Sequence, residues 1–260
     1  MRVIYLSLSL FLFTNLTSNA QFTNWSFSGG FGIASYAGDL DHTGISNLRP
    51  AFNFETWYKL HENIQIKAGG SLYQLSADDH IASRNRGFRS NNYELYAAIM
   101  VVYPRNRLDF FTYIGGGITK VDPEGKNPGW YLDLPEYDIE GQKIKNPALI
   151  MPFGLGLRYK ITPTFAVVLD GGYRLTNTDY LDGLSRKRIP LNELNQTAIT
   201  YYKTISRSAE KIIENRNDTS AIAGGNPDLN DLYGMFTVKL QYILPTSGRS
   251  LNRALPTLRN

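Results

Sequence analysis

From Trp25 to Leu244 large apolar residues recur at every second position in short runs. The first run sets Trp25, Phe27, Phe31 and Ile33 against Ser26, Ser28, Gly30 and Gly32. The second sets Phe52, Phe54 and Tyr58 against Asn53, Glu55, Trp57 and Lys59, and the third Ile64, Ile66, Ala68 and Leu72 against Gln65, Lys67, Ser71 and Tyr73. Further on, Leu95, Ala97, Ile99, Val101 and Tyr103 oppose Glu94, Tyr96, Ala98 and Met100. The odd positions of 149–159 are apolar, with Pro152, Gly154, Gly156 and Arg158 between them. Phe165, Val167, Leu169, Tyr173 and Leu175 oppose Asp170, Gly172 and Arg174, and Leu232, Phe236, Val238, Leu240 and Tyr242 oppose Tyr233, Thr237, Lys239 and Gln241. A period of two predicts strands with one apolar face. An eighth segment, Phe110 to Ile118, holds no clean alternation, and its faces stay unassigned.

The connections alternate in length. Short ones fall at Leu60-His61-Glu62-Asn63, Pro104-Arg105-Asn106-Arg107 and Lys160-Ile161-Thr162-Pro163, and long ones at roughly 38–49, 76–92, 121–147 and 177–231. Tight turns at one end and sprawling loops at the other predict an all-β, eight-stranded antiparallel transmembrane barrel with short periplasmic turns and long extracellular loops. Alternation alone also fits a secreted barrel with its apolar face inward. The inverted arrangement is preferred because Glu55, Lys59, Lys67, Glu94, Arg158, Asp170, Arg174 and Lys239 all sit on the polar face, among Gly and Ser. Eight strands enclose an interior just wide enough for side chains, so these charges are expected to pair in a dry lumen. The expectation is a plugged barrel rather than a pore.

Met1 to Ala20 has a charged start at Arg2, an apolar stretch over Val3–Phe13 and a small-residue site at Ser18-Asn19-Ala20, which predicts a signal peptide over 1–20. The barrel then runs over 21–244, and a basic tail over 245–260 carries Arg249, Arg253 and Arg259. An even strand number puts both ends in the periplasm, so these arginines are candidate contacts for a periplasmic partner. Within the 177–231 loop Ile199, Tyr202, Ile205, Ala209, Ile212 and Ile213 recur at helical spacing, predicting a helix over about 197–215. Its apolar stripe either packs on the rim or docks a partner. Arg186-Lys187-Arg188 in the same loop is a candidate contact for lipopolysaccharide phosphates.

Composition removes several kinds of chemistry. With no cysteine there is no disulfide, thiolate or lipid-attachment chemistry. A net charge of +4 is too small to argue for nucleic acid. The 17 Tyr and 13 Phe suit interfacial aromatic girdles. Of the three histidines, His42 and His80 lie in long loops near Asp39, Asp41, Asp78 and Asp79, but no nucleophile elbow or zinc-protease helix accompanies them. No catalytic, metal or cofactor site is expected.

Five motifs spread in order along the chain carry a resemblance. They are Tyr36-Ala37-Gly38-Asp39-Leu40; Arg84-Asn85-Arg86-Gly87-Phe88-Arg89-Ser90; the triplet Gly115–Gly117; Pro152-Phe153-Gly154-Leu155-Gly156; and Tyr173-Arg174-Leu175-Thr176-Asn177-Thr178-Asp179-Tyr180-Leu181-Asp182. Together the series resembles the PorG-like outer-membrane barrel family of Bacteroidota, a component of the type IX secretion system. The resemblance implies an eight-stranded, non-enzymatic scaffold associated with a periplasmic ring of PorK and PorN, and it offers no catalytic residues to carry over. The rival readings are a surface adhesion or ligand-binding barrel working through its loops, and a small outer-membrane hydrolase at the rim.

Overall fold

A computed structural model of the chain describes residues 24–38, 47–78, 86–127, 130–134, 140, 146–183, 185–215, 217, 220–223 and 230–245. The signal peptide, Asp39, His42, His80, Arg84 and the tail arginines lie outside the described residues. Eight long strands form the wall: β1 (Trp25–Ala37), β2 (Arg49–Lys59), β3 (Ile64–Asp78), β4 (Gly87–Arg105), β5 (Leu108–Lys120), β8 (Ala148–Lys160), β9 (Phe165–Thr176) and β12 (Leu232–Ile243). Each pairs antiparallel with its neighbour in chain order. β12 returns to β1 from Ser26↔Ile243 to Ala37↔Leu232, which closes the barrel and removes its edges.

Burial alternates with the sequence pattern. Phe54 is 68% exposed beside Asn53 at 1%, and Leu155 is 65% exposed while Lys67 is 1% exposed. Charged side chains are inside and bare leucines, isoleucines and phenylalanines are outside, the arrangement required when the solvent outside is hydrocarbon. On β4 the exposed Tyr93 and Tyr103 bracket Leu95, Ile99 and Val101. Ten residues at about 3.3 Å each, tilted by about 40°, rise about 25 Å, which is the height of an apolar belt.

β5 has two distinct faces. Phe110, Thr112, Ile114 and Ile118 point outward, while Asp109, Phe111, Tyr113 and Thr119 point inward. The pattern was masked because two of its inward residues are aromatic. Glycines opposite make room for them: a β-carbon on Gly156 would strike the Phe111 ring, and one on Gly172 would lie 2.5 Å from the Tyr113 hydroxyl. The β5–β8 ladder skips Gly115 and Gly116, which lie across from Pro152 and Met151, and proline has no amide hydrogen to give.

Two loops are shorter or more ordered than the alternation predicts. β3 and β4 stay paired as far as Asp78↔Gly87, so their connection shrinks to 79–86. Above the belt the outward residues Gln74, Asp78, Arg89 and Asn91 are polar, so the alternation fades while the backbone ladder continues. The 121–147 segment contains a hairpin, β6 (Pro123–Asn127) and β7 (Trp130–Asp133), which extends the sheet when Gly125 and Pro123 pair with Phe88 and Ser90.

Substitution of Ile99 by arginine places a cation near the middle of the belt and is expected to cost about 2–4 kcal/mol. Urea unfolding from lipid vesicles would read it, with Ile99→Leu as the silent control. A near-zero effect would contradict lipid contact at this face.

Candidate functional site

The lumen is filled by polar tiers stacked along the barrel axis. At mid-height Lys67 (β3) and Lys239 (β12) alternate with Glu55 (β2) and Asp170 (β9) in a closed square. Lys67 Nζ lies 3.2 Å from Glu55 and 2.9 Å from Asp170, and Lys239 Nζ lies 2.7 Å from each carboxylate. Every cation thus meets two anions and every anion two cations. Trp57 Nε1 donates to Glu55 at 2.9 Å, the Tyr96 hydroxyl donates to it as well, and the Tyr113 ring lies 3.3 Å from Lys67 Nζ.

The tier on the loop side centres on Glu94. Arg174 Nη2 donates to it at 3.1 Å, Ser71 Oγ at 2.8 Å and the Tyr233 hydroxyl at 2.5 Å. Tyr233 stacks on Tyr73 with centroids 4.7 Å apart. On the turn side Asp109 accepts from Arg158 Nη2 at 2.6 Å and pairs with Lys160 at 2.9 Å. Two of the expected pairings need correction. Arg158 meets Asp109, which the unread alternation of β5 had hidden. Lys59 is exposed at the end of β2, one residue from the turn, where water solvates it and no partner is needed. The other seven residues are buried, with Glu55, Lys67, Asp170 and Lys239 in one tier and Glu94 with Arg174 in the next.

Residues from the sequence motifs gather where the lumen meets the loops. The Tyr36 hydroxyl lies 2.6 Å from Asp231 Oδ1 and 3.1 Å from Asp182 Oδ2, and Phe88 meets the Tyr36 ring edge-on at 5.0 Å. Asp231 Oδ2 accepts from Leu181 N at 2.9 Å, and Thr176 Oγ1 donates to the carbonyls of Thr178 and Asp231. Gly38 follows the end of β1, beside Tyr36 and Asp231, where a β-carbon would collide with both. Ser90 Oγ donates to Asn92 Oδ1 at 2.5 Å, Asp179 is buried, and the Tyr180 amide donates to Thr178 Oγ1 at 3.2 Å.

A cap covers this end. The single expected helix is two, α1 (Gln196–Ile205) and α2 (Arg207–Glu214), because Ser206 is extended and caps both. Its amide donates to Tyr202 O, and its Oγ accepts from Ala209 N. The apolar stripe continues across the break. Tyr202, Ile205, Ala209 and Ile213 are buried with Leu132, Leu134, Leu181 and Ile189, while Ile199 and Ile212 pack against that cluster. A two-stranded antiparallel sheet, β10 (Arg188–Pro190) paired with β11 (Ala221–Ala223), brings together the two ends of the helical segment. The stripe is thus consumed by the cap itself.

Inside the cap Glu140 Oε2 accepts from the amides of Ser185 and Arg186, both at 3.1 Å, while Oε1 is buried with no hydrogen-bond partner. Burial raises this carboxyl from 4.5 to about 7. The same cause raises the hydroxyls of Tyr201 and Tyr202. Among the described residues no group of three His, Cys, Asp or Glu is placed to hold a metal ion, and no helix is long and apolar enough to cross a membrane.

A closed, lipid-facing, eight-stranded barrel with a polar lumen defines an outer-membrane β-barrel protein. The chain belongs to the outer membrane protein beta-barrel domain family, whose model matches residues 4–201. No curated protein matches the sequence. Solved structures similar to it include Neisserial surface protein A, with 7% identity, a TM-score of 0.46 and coverage of 85% of this chain and 97% of that one. Ail of Yersinia pestis, in complex with the heparin analogue sucrose octasulfate, shows 13% identity, a TM-score of 0.40 and coverage of 84% and 97%. The outer membrane protease OmpT of Escherichia coli shows 11% identity, a TM-score of 0.39 and coverage of 88% and 99%.

Removing one member of the square strands a buried charge. Lys239→Met is expected to destabilise the barrel by about 3–5 kcal/mol, and adding Glu55→Gln should restore part of that loss in urea titrations. The Glu140 carboxyl binds its proton more tightly in the folded cap than in the unfolded chain. Its contribution is therefore complete below pH of about 4.5 and is lost as pH rises through about 7. Limited proteolysis of the 177–231 loop should be faster at pH 8 than at pH 5, and Glu140→Gln should flatten that difference.

Proposed function

We propose that this protein is a non-enzymatic scaffold of the outer membrane that anchors protein-secretion machinery of the type IX class through its periplasmic side. The observation that carries the reading is the sealed lumen. Glu55, Glu94, Asp109 and Asp170 are matched inside the barrel by Lys67, Lys239, Arg158 and Arg174, and a packed cap lies over the loop end. A barrel filled in this way conducts no solute, so its work is positional: the belt holds it in the bilayer while turns and tail meet partners beneath. The ordered motif series from Tyr36 to Asp182 gives the scaffold its secretion context by resemblance, with a periplasmic ring as the partner.

Adhesion through the loops is the second reading. It is favoured by Trp130 and Tyr131, which stand 52% and 39% exposed on the hairpin at the cap's flank. Affinity purification of the tagged protein from outer membranes separates the two. A scaffold brings down periplasmic ring proteins and loses them when Arg249, Arg253 and Arg259 are changed to alanine, with Trp130→Ala and Tyr131→Ala silent. The reverse pattern, with surface-ligand binding lost on the aromatic changes alone, contradicts the scaffold. Purified protein should also show no porin-sized conductance in planar bilayers.

A further inference from the structure

Above the upper tyrosine row the outer wall changes character within two turns of the ladder. On β2, β3 and β4 the row Phe52–Leu72–Tyr93 is apolar and aromatic. The next row pairs the amides of Gln74 and Asn91, 2.7 Å apart. The row after that is charged, with Ser76 opposite Arg89 and Arg89 opposite Glu124 on β6. Here a cleft of about 380 Å³ opens, lined by Arg49, Gln74, Asp78, Arg89, Asn91 and Lys126 among others. Three cations stand in it against the carboxylate of Asp78, with Glu124 pairing Arg89 at its edge, which leaves one cation in excess.

The cations are held in place but remain available. Arg49 Nε donates to Ser76 Oγ at 2.6 Å. The Arg89 guanidinium lies 3.8 Å from the centroid of the Tyr131 ring and pairs with Glu124 on its other side at 2.6 Å. Lys126 pairs with Asp78 at 2.8 Å. The side chains of Arg89 and Lys126 are 51% and 42% exposed. Ion pairs this exposed are worth little and exchange readily for a phosphate, with which arginine makes bidentate bonds.

Height selects the ligand. Arg89 stands four residues above Tyr93, about 10 Å along the barrel axis, and so lies at the level of lipid headgroups. On the same wall, eight residues below Arg89, a furrow runs where Thr56, Ala68, Ala97 and Gly116 lie side by side between strands, flanked by Leu95 and Ile118. That drop is about 20 Å and reaches the bilayer midplane, where an acyl chain ends.

We infer that this cleft binds the phosphate-bearing headgroup of an outer-leaflet glycolipid, with one acyl chain lying down the wall into the furrow. The site is built on the wall and is independent of the scaffold reading.

The test titrates the purified protein in neutral detergent with diphosphorylated lipid A and follows bound lipid by native mass spectrometry. Combining Arg49→Gln, Arg89→Gln and Lys126→Gln should weaken binding at least tenfold, and lipid A stripped of its phosphates should bind the unaltered protein as poorly. Removing three cations from the cap (Lys187→Gln, Arg188→Gln and Arg207→Gln) should leave binding unchanged. Undiminished binding by the cleft variant, an equal loss in the cap variant, or equal retention of the phosphate-free lipid overturns the inference. So does displacement by equimolar inorganic phosphate, which would mark a free-anion site. Heat-modifiable gel mobility confirms folding. Should the triple variant not fold, Arg89→Gln alone is expected to cost several-fold and decides in the same way.

Discussion

The structure depends on one constraint: a barrel of eight strands is too narrow to hold bulk water around its interior charges. Each ionised group in the lumen must therefore meet its opposite directly. The square of Lys67, Lys239, Glu55 and Asp170 satisfies this by letting every charge serve two partners from four different strands, which also ties β2, β3, β9 and β12 together across the lumen. Breaking one corner exposes three others to a dry environment. Such a network specifies register, because a slip of one residue along any strand turns its charge out into lipid.

The cap follows from the lumen beneath it. Tyr36, Thr176 and Tyr233 carry the polar filling up to the point where Asp182 and Asp231 enter from the long loop. Above them the filling becomes apolar, and the helices close over it. Among the described residues the loop side is thereby a packed layer continuous with the barrel core.

Much of this was legible in the sequence because lipid imposes a strict period of two. Seven strands announced both faces, and seven of the eight lumen charges proposed from alternation lie buried inside. What stayed hidden had local physical causes. Phe111 and Tyr113 fill the lumen with aromatic bulk, which erased the pattern on β5 and concealed Asp109 as the partner of Arg158. Lys59 continued the inward parity but sits where the strand meets water. Above the belt, Gln74, Asp78, Arg89 and Asn91 face the polar layer beyond the hydrocarbon, so the strands run on with no alternation to mark them. The break at Ser206 leaves no mark in the hydrophobic pattern because the buried stripe keeps helical spacing from Ile205 to Ala209 across it. Asp231, which receives the Tyr36 hydroxyl, lies 195 residues from it, and no short-range pattern links the two.

The absence of native cysteine makes one measurement especially direct. Single cysteines placed in turn from Tyr93 to Tyr103 on β4, spin-labelled in lipid vesicles, report collision with dissolved oxygen and with a water-soluble nickel complex. The account predicts that odd positions collide with oxygen and not with nickel, peaking near Ala97 and Ile99, and that even positions collide with neither. Nickel access at the even positions would reveal a water-filled pore, and nickel access at the odd positions would show that this face never touches lipid. Either result would contradict a sealed barrel in a membrane.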